Sequence, residues 1–137
     1  MSNIHYRYDK DLPEDKVISL YSALQWSSAE KPFELLKALS NSHSVVSAWH
    51  GDKLIGLGNS ISDGYLVVYY PHLLVLPEYQ GKGVGKRIVS ILKEKYSTFH
   101  QQIIVADGRA IEFYKGCGFS KAGTCETLWI YRGHEHD

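Results

Sequence analysis

Apolar residues recur along the chain with two different periods. Ile4, Tyr6 and Tyr8 alternate with polar neighbours, which predicts a short first strand. Val17, Ile18, Leu20, Tyr21 and Leu24 follow Pro13 at helical spacing, and Phe33, Leu35, Leu36 and Leu39 follow Pro32 in the same way. A proline in the first turn of a helix removes no donor that the helix uses, so both prolines mark helix starts. The pattern then changes. Ser44 to His50 and Lys53 to Ile61 flank a Gly51-Asp52 turn, and Asp63-Gly64 opens a third stretch from Tyr65 to Leu76. Three strands joined by tight turns predict an antiparallel meander. Pro71 interrupts the third strand, and a residue without an N–H marks a bulge or an edge there. The continuous run Leu73-Leu74-Val75-Leu76 suits a strand covered on both faces.

Pro77 to Gly83 reads as a loop, and Val84 to Tyr96 as a helix with Val84, Ile88, Ile91 and Leu92 on one side. Gln102 to Ala106 predicts a strand, Arg109 to Lys115 a short helix, and Gly116 to Gly118 its stop. Phe119 and Thr127 to Tyr131 predict the last strands. The order β-α-α-β-β-β-α-β-α-β-β describes a single α/β domain over residues 1–137 with a mixed sheet, its tail at 133–137 disordered.

Composition narrows the function. The chain is 44% hydrophobic and 22% charged, without a stretch of about 18 apolar residues, which excludes a membrane span and wholesale disorder. Fifteen basic residues balance fifteen acidic ones, so no global field recruits nucleic acid or an anionic membrane. Cys117 and Cys125 are too few for a disulfide framework and lack metal-ligand spacing. The first residues carry no basic region leading into an apolar stretch, so the expected location is the cytoplasm.

Leu73 to Arg87, LLVLPEYQGKGVGKR, carries the chemistry. A strand, a glycine-rich turn and a helix start gather unpaired backbone N–H groups, and the helix dipole adds about half a positive charge. Lys82, Lys86 and Arg87 crowd the same helix start, where each cation opposes the dipole by about 0.3–1 kcal/mol. A bound anion reverses that cost; solvated surface cations beside an ordinary turn are the competing reading. The spacing rejects a Walker loop, being one residue short between Gly81 and Lys86, and it rejects the dinucleotide fingerprint, whose third glycine falls on Lys86.

Gln80-Gly81-Lys82-Gly83-Val84-Gly85 instead fits Gln/Arg-x-x-Gly-x-Gly/Ala, and Ala110-Ile111-Glu112-Phe113-Tyr114 with Gly118-Phe119 fits Ala-Ile-x-Phe-Tyr-x-x-x-Gly-Phe. Together these resemble the acyl-CoA loop and the following helix of the GNAT superfamily of N-acetyltransferases, in particular its small bacterial single-domain members. The resemblance is close from Val45 to Phe119 and loose over the first forty residues.

The resemblance implies a mixed, mostly antiparallel sheet with flanking helices and a splayed, bulged central strand. It implies acetyl-CoA as cosubstrate, no metal, and an amine acceptor attacked through a tetrahedral intermediate. Cofactor contacts would come from Leu73, Leu74 and Val75 along the strand and from Gln80, Gly81, Lys82, Gly83, Val84, Gly85 and Lys86 around the pyrophosphate. Asp107, Phe113 and Tyr114 complete the set, with Tyr114 facing the leaving sulfur. Asp107 stands where relatives often carry asparagine. Gln102, which cannot titrate, stands where some carry a glutamate base.

An amine with a pKa near 10 is only roughly 0.1% neutral at pH 7, so the reaction needs a route for its proton. His72, beside the Pro71 break, is the candidate base, a histidine packed into the sheet being the alternative. Glu78 acting through water is another candidate. The tail pair His134 and His136 and the lone Cys117 read as a frayed terminus and a packing residue. Trp26, Trp49, Tyr69 and Tyr70 are candidates for an aromatic pocket lining or for core. The expected acceptor is a small-molecule primary amine, with peptide or protein amino groups as the alternative. A non-catalytic acyl-CoA sensor is the third reading. Nucleic acid and membranes are not expected partners, and the protein is expected to be a monomer or homodimer.

Overall fold

The computed structural model describes residues 3–134. β1 (Ile4–Arg7) leads into α1 (Glu14–Ala23) and α2 (Pro32–Ser40), which are joined through a 3-10 turn at Ser27–Glu30. β2 (Ser44–His50), β3 (Lys53–Ser62), β4 (Val67–Tyr70) and β5 (Leu73–Val75) follow, then α3 (Val84–Lys95), β6 (Gln101–Ile104) and α4 (Arg109–Gly116). The sheet runs β1-β2-β3-β4-β6, with β5 also paired to β3. Every pair is antiparallel except β4 with β6.

Helices cover both faces of the centre, which explains why β2 and β3 are buried almost end to end. Val84, Ile88, Val89 and Leu92 make the buried stripe of α3, at the spacing a helix requires. Gly58 lets α3 approach closely: a Cβ there would stand 2.7 Å from Ile88 Cγ2. Val17, Leu20 and Tyr21 of α1 and Leu35 and Leu39 of α2 join the same core cluster.

The predicted third strand is two strands. β3 pairs with β4 at Ile61 and Ser62 and with β5 at Gly56 to Gly58, and the chain breaks between them at Pro71 and His72. β4 continues beside β6, whereas among the described residues β5 pairs with β3 alone, so the sheet splays beyond Tyr70.

Two expectations are corrected at the C-terminal end. Neither Phe119 nor Thr127 to Tyr131 forms a strand among the described residues. The latter alternates as a strand would, but it meets no ladder: Leu128 and Ile130 are 90% and 91% exposed, and Trp129 stacks on Tyr131 at 4.5 Å. The segment ends beside the Ser27–Glu30 turn, where His134 Nε2 lies 2.9 Å from Glu30 Oε2. Of the tail 133–137, residues 135–137, including His136, lie outside the described residues.

Candidate active site

Alternation along β5 decides which backbone groups are free. The Leu76 N–H donates to the Ile55 carbonyl at 2.9 Å, and the Asn59 N–H donates to the His72 carbonyl at 3.2 Å. His72, Leu74 and Leu76 thus turn their peptide groups toward β3, and Leu73 and Val75 turn theirs into the splay. Leu74 is buried and its backbone faces β3. The N–H groups of Leu73 and Val75 and the Leu73 carbonyl face away from β3, while the Val75 carbonyl accepts from the Gln80 side chain.

That edge runs into the glycine loop. Gly81 and Gly83 have φ of 76° and 86°, in the left-handed region that glycine enters without strain, and Gly83 caps α3. The Arg87 N–H closes the first helical bond to the Gly83 carbonyl at 3.0 Å, which leaves the amides just before it without intrahelical partners. The first turn of α3 contains no acid. Gln80 braces the loop, its Nε2 donating to the Val75 carbonyl at 2.8 Å. Lys82 lies over the Tyr79 ring and Arg87 over the Tyr6 ring, each 6.0 Å from the centroid. A Cβ on Gly85 would touch Phe113 Cζ at 3.4 Å and Val75 Cγ2 at 3.5 Å, so strand, loop and α4 meet there. Asp107 precedes α4, its carbonyl accepting the Ala110 N–H.

The floor of the splay is a narrow cleft of only about 10 Å³, lined among others by Tyr70, His72, Leu73, Tyr114 and Phe119. Residues distant in sequence converge here: His72 from the strand break, Tyr114 from α4, and Val89 and Leu92 from α3. Tyr114 is 9% exposed and packs edge-to-face on Phe113 and Phe119 at 5.1 and 5.9 Å. Burial, with nearby Cys117, pushes its phenol up to about 12, so it is a neutral donor at pH 7. Its hydroxyl has no hydrogen bond among the described residues.

His72 occupies the expected place, but its setting opposes the role of base. Burial pulls its imidazole down to about 4, and its Nδ1 is 2.8 Å from the Tyr21 hydroxyl. Trp26 packs edge-to-face on the same ring at 5.1 Å. Neither Tyr21 nor Trp26 could be linked to His72 from sequence, because nothing in the helical spacing of α1 names a partner 51 residues away. Trp49 belongs to the core, its Nε1 donating to Ser47 Oγ at 2.8 Å. Gln102 accepts the Tyr70 hydroxyl at 2.6 Å. Glu78 pairs with Lys53 at 3.7 Å on the surface. A larger open hollow, about 480 Å³, lies by Asp15, Lys16, His50 and Lys53 and contains none of the motif side chains. No cluster of three or more His, Cys, Asp or Glu suited to a metal occurs among the described residues. No helix among them is long and apolar enough to cross a membrane.

The profile of the acetyltransferase (GNAT) family matches residues 10–119. The chain belongs to the GNAT family. An uncharacterised N-acetyltransferase of Gracilaria tenuistipitata var. liui is 24% identical over 124 residues, covering 85% of this chain and 67% of that protein. A GNAT-family acetyltransferase from Streptococcus pneumoniae TIGR4 superposes with a TM-score of 0.82 at 26% identity, over 94% of this chain and 98% of the other. An aminoglycoside N-acetyltransferase solved with CoA superposes at 0.71 and 13% identity, over 94% of this chain and 93% of its own. The mixed sheet, its flanking helices and its splay are those of a GNAT acyltransferase, and the activity of the family is acetyl transfer.

Proposed function

We propose that this GNAT domain transfers the acetyl group of acetyl-CoA to a primary amine of a small molecule by direct attack. The observation that carries the reading is the meeting of three elements at Gly85, where a Cβ would touch Val75 Cγ2 at 3.5 Å and Phe113 Cζ at 3.4 Å. There β5, whose Leu73 and Val75 turn their N–H groups away from β3, meets the glycine loop and the helix that carries Tyr114. Acetyl-CoA supplies the acyl group already activated as a thioester.

Each part of the cleft suits one part of that cosubstrate. The edge of Leu73 and Val75 matches an amide-bearing arm, since alternating donors and acceptors are what an added strand satisfies. The amides from Gly81 to Lys86, with Lys82, Lys86 and Arg87 near the positive helix end, match a pyrophosphate. Tyr114 would donate to the sulfur as it leaves. A phenol is a weaker acid than a thiol, so it acts as a hydrogen-bond donor and the thiolate departs without taking its proton.

Tyr21 and Trp26 contact His72 from the α1 side, while Val89 and Leu92 line the cleft with it from α3. In this reading the acceptor approaches on the α1 side beside Trp26, where aromatic side chains suit a small primary amine. The aminoglycoside N-acetyltransferase with the same fold is a precedent for small amines.

Thiol release from acetyl-CoA against a panel of diamines, arylalkylamines, aminoglycosides and peptide N-termini tests the reading. Turnover with small amines is expected, and preference for peptides overturns the acceptor class. Tight acetyl-CoA binding without thiol release from any amine points to the sensor. Gly83→Asp places a carboxylate in the phosphate cradle and should weaken CoA binding at least 100-fold by calorimetry; unchanged affinity removes the loop from the site.

A further inference from the structure

We infer that Tyr21 is a positioning residue that holds His72 as a neutral donor, and that the His72 Nε2–H hydrogen-bonds the acyl carbonyl oxygen while the amine attacks. The inference rests on the acyl-transfer reading above and gives His72 a role opposite to that of a base.

The tautomer follows from counting protons. Tyr21 is 0% exposed, and its hydroxyl makes no hydrogen bond other than that with His72 Nδ1 among the described residues. A phenol has one proton. If Nδ1 were the donor, that proton would lie in the core without an acceptor. The Tyr21 hydroxyl therefore donates, Nδ1 accepts, and the neutral imidazole carries its hydrogen on Nε2.

The ring is fixed from several directions. Tyr21 and Trp26 pack edge-to-face on it at 5.5 and 5.1 Å. The His72 N–H donates to Asn59 Oδ1 at 3.0 Å, and the Asn59 side-chain amide donates in turn to Ser42 Oγ at 3.0 Å. Nε2 has no hydrogen bond among the described residues, and His72 lines the same cleft as Tyr114 and Leu73. A donor held in place before reaction is what a developing oxyanion requires. The titratable groups around the cleft are Tyr21 from α1, Tyr70 from β4 and Tyr114 from α4, with Cys117 beside Tyr114. Burial raises all three phenols, so none supplies a negative charge that would favour imidazolium at pH 7.

The step balances without proton transfer to His72. The amine lone pair forms the C–N bond, the C–S pair leaves on sulfur beside Tyr114, and the surplus amine proton passes to water. His72 keeps its hydrogen throughout.

Side-chain ¹⁵N–¹H spectra of the whole protein, with His72→Gln for assignment, read the tautomer directly. The Nε2–H form is expected at pH 7 and down to about pH 5; an Nδ1–H form or a cationic ring at pH 7 overturns the assignment. Tyr21→Phe should mix the tautomers and lower kcat about 5- to 10-fold with acetyl-CoA affinity within twofold. His72→Gln keeps an N–H donor and should retain at least tenfold more kcat than His72→Ala. Equal activity of those two variants overturns the carbonyl bond. So does a limb in the kcat/KM profile between pH 6 and 7 that disappears in His72→Gln, because that is the signature of a base. If wild type turns over no amine, the acyl-transfer reading and the carbonyl bond fall together, while the spectra still decide whether Tyr21 sets the tautomer.

Discussion

Two buried tyrosines, Tyr96 and Tyr114, have opposite surroundings. Tyr96 is 1% exposed, and its hydroxyl lies 2.6 Å from Ser44 Oγ, 2.7 Å from Ser60 Oγ and 2.7 Å from His43 Nδ1. One donor and two lone pairs meet three partners, so the group is saturated. Tyr114 is nearly as buried, yet its hydroxyl faces a cleft and meets no hydrogen-bond partner among the described residues. The two environments are joined: the Tyr70 hydroxyl donates to Gln102 Oε1, and Gln102 Nε2 donates to the Tyr96 carbonyl at 3.2 Å. A saturated hydrogen-bonded knot thus adjoins the cleft that Tyr114 lines. The difference separates a phenol whose hydrogen bonds are all made from one whose hydroxyl makes none among the described residues, although both are buried.

Substitution to phenylalanine at each position should break the molecule in different ways. Tyr114→Phe keeps the ring against Phe113 and Phe119 and removes only the hydroxyl. A hydrogen bond to a developing charge contributes about 1.5–3 kcal/mol, so kcat should fall roughly 10- to 150-fold. Acetyl-CoA affinity and melting temperature should stay close to wild type. Unchanged turnover would make Tyr114 a packing residue and erase the contrast.

Tyr96→Phe should do the reverse. Ser44, Ser60 and His43 lose their common partner, at a cost of about 1–3 kcal/mol. Thermal unfolding should show a midpoint lowered by roughly 3–8 °C, with kcat of the folded enzyme within twofold of wild type. A loss of activity without a loss of stability would place the knot inside the reaction.

The smallest effect sharpens the same contrast through pH. The folded His72 is lowered to about 4, against an unfolded value near 6.5. Between those values the unfolded chain binds a proton that the folded chain refuses. Stability should therefore be constant above about pH 7 and fall as pH drops through the window, by about 2 kcal/mol at pH 5. His72→Gln should lose that part of the acid sensitivity in denaturant titrations. An identical pH dependence in both proteins would mean that the imidazole is not held neutral.

How much of this was legible in the sequence depends on the range of the interaction. Pro13, Pro32 and the helical spacing of Val84, Ile88 and Leu92 located three helices, because those signals act within one turn. Pro71 announced the break between β4 and β5, since a missing N–H is a local fact. The alternation of Thr127 to Tyr131 misled for the opposite reason: a strand exists only where a neighbouring edge accepts it, and no alternation names that edge. The same limit applied to His72. Its reference chemistry suggested a base, whereas its burial and its Tyr21 hydrogen bond are both supplied by other parts of the chain.

The sequence by itself determined the glycine loop, the adverse cations at the start of α3 and the family to which they point. Their geometry depends on bonds between near neighbours, and left-handed glycines with a following helix produce it wherever they occur. The tertiary structure alone decided that Leu73 and Val75 turn their backbone away from β3 while Leu74 faces it. It alone brought Tyr21 onto His72 and left Tyr114 without a partner. Protonation and hydrogen-bond direction depend on which groups the fold places within about 3 Å and how far it removes them from water, and neither quantity is written in the order of the residues.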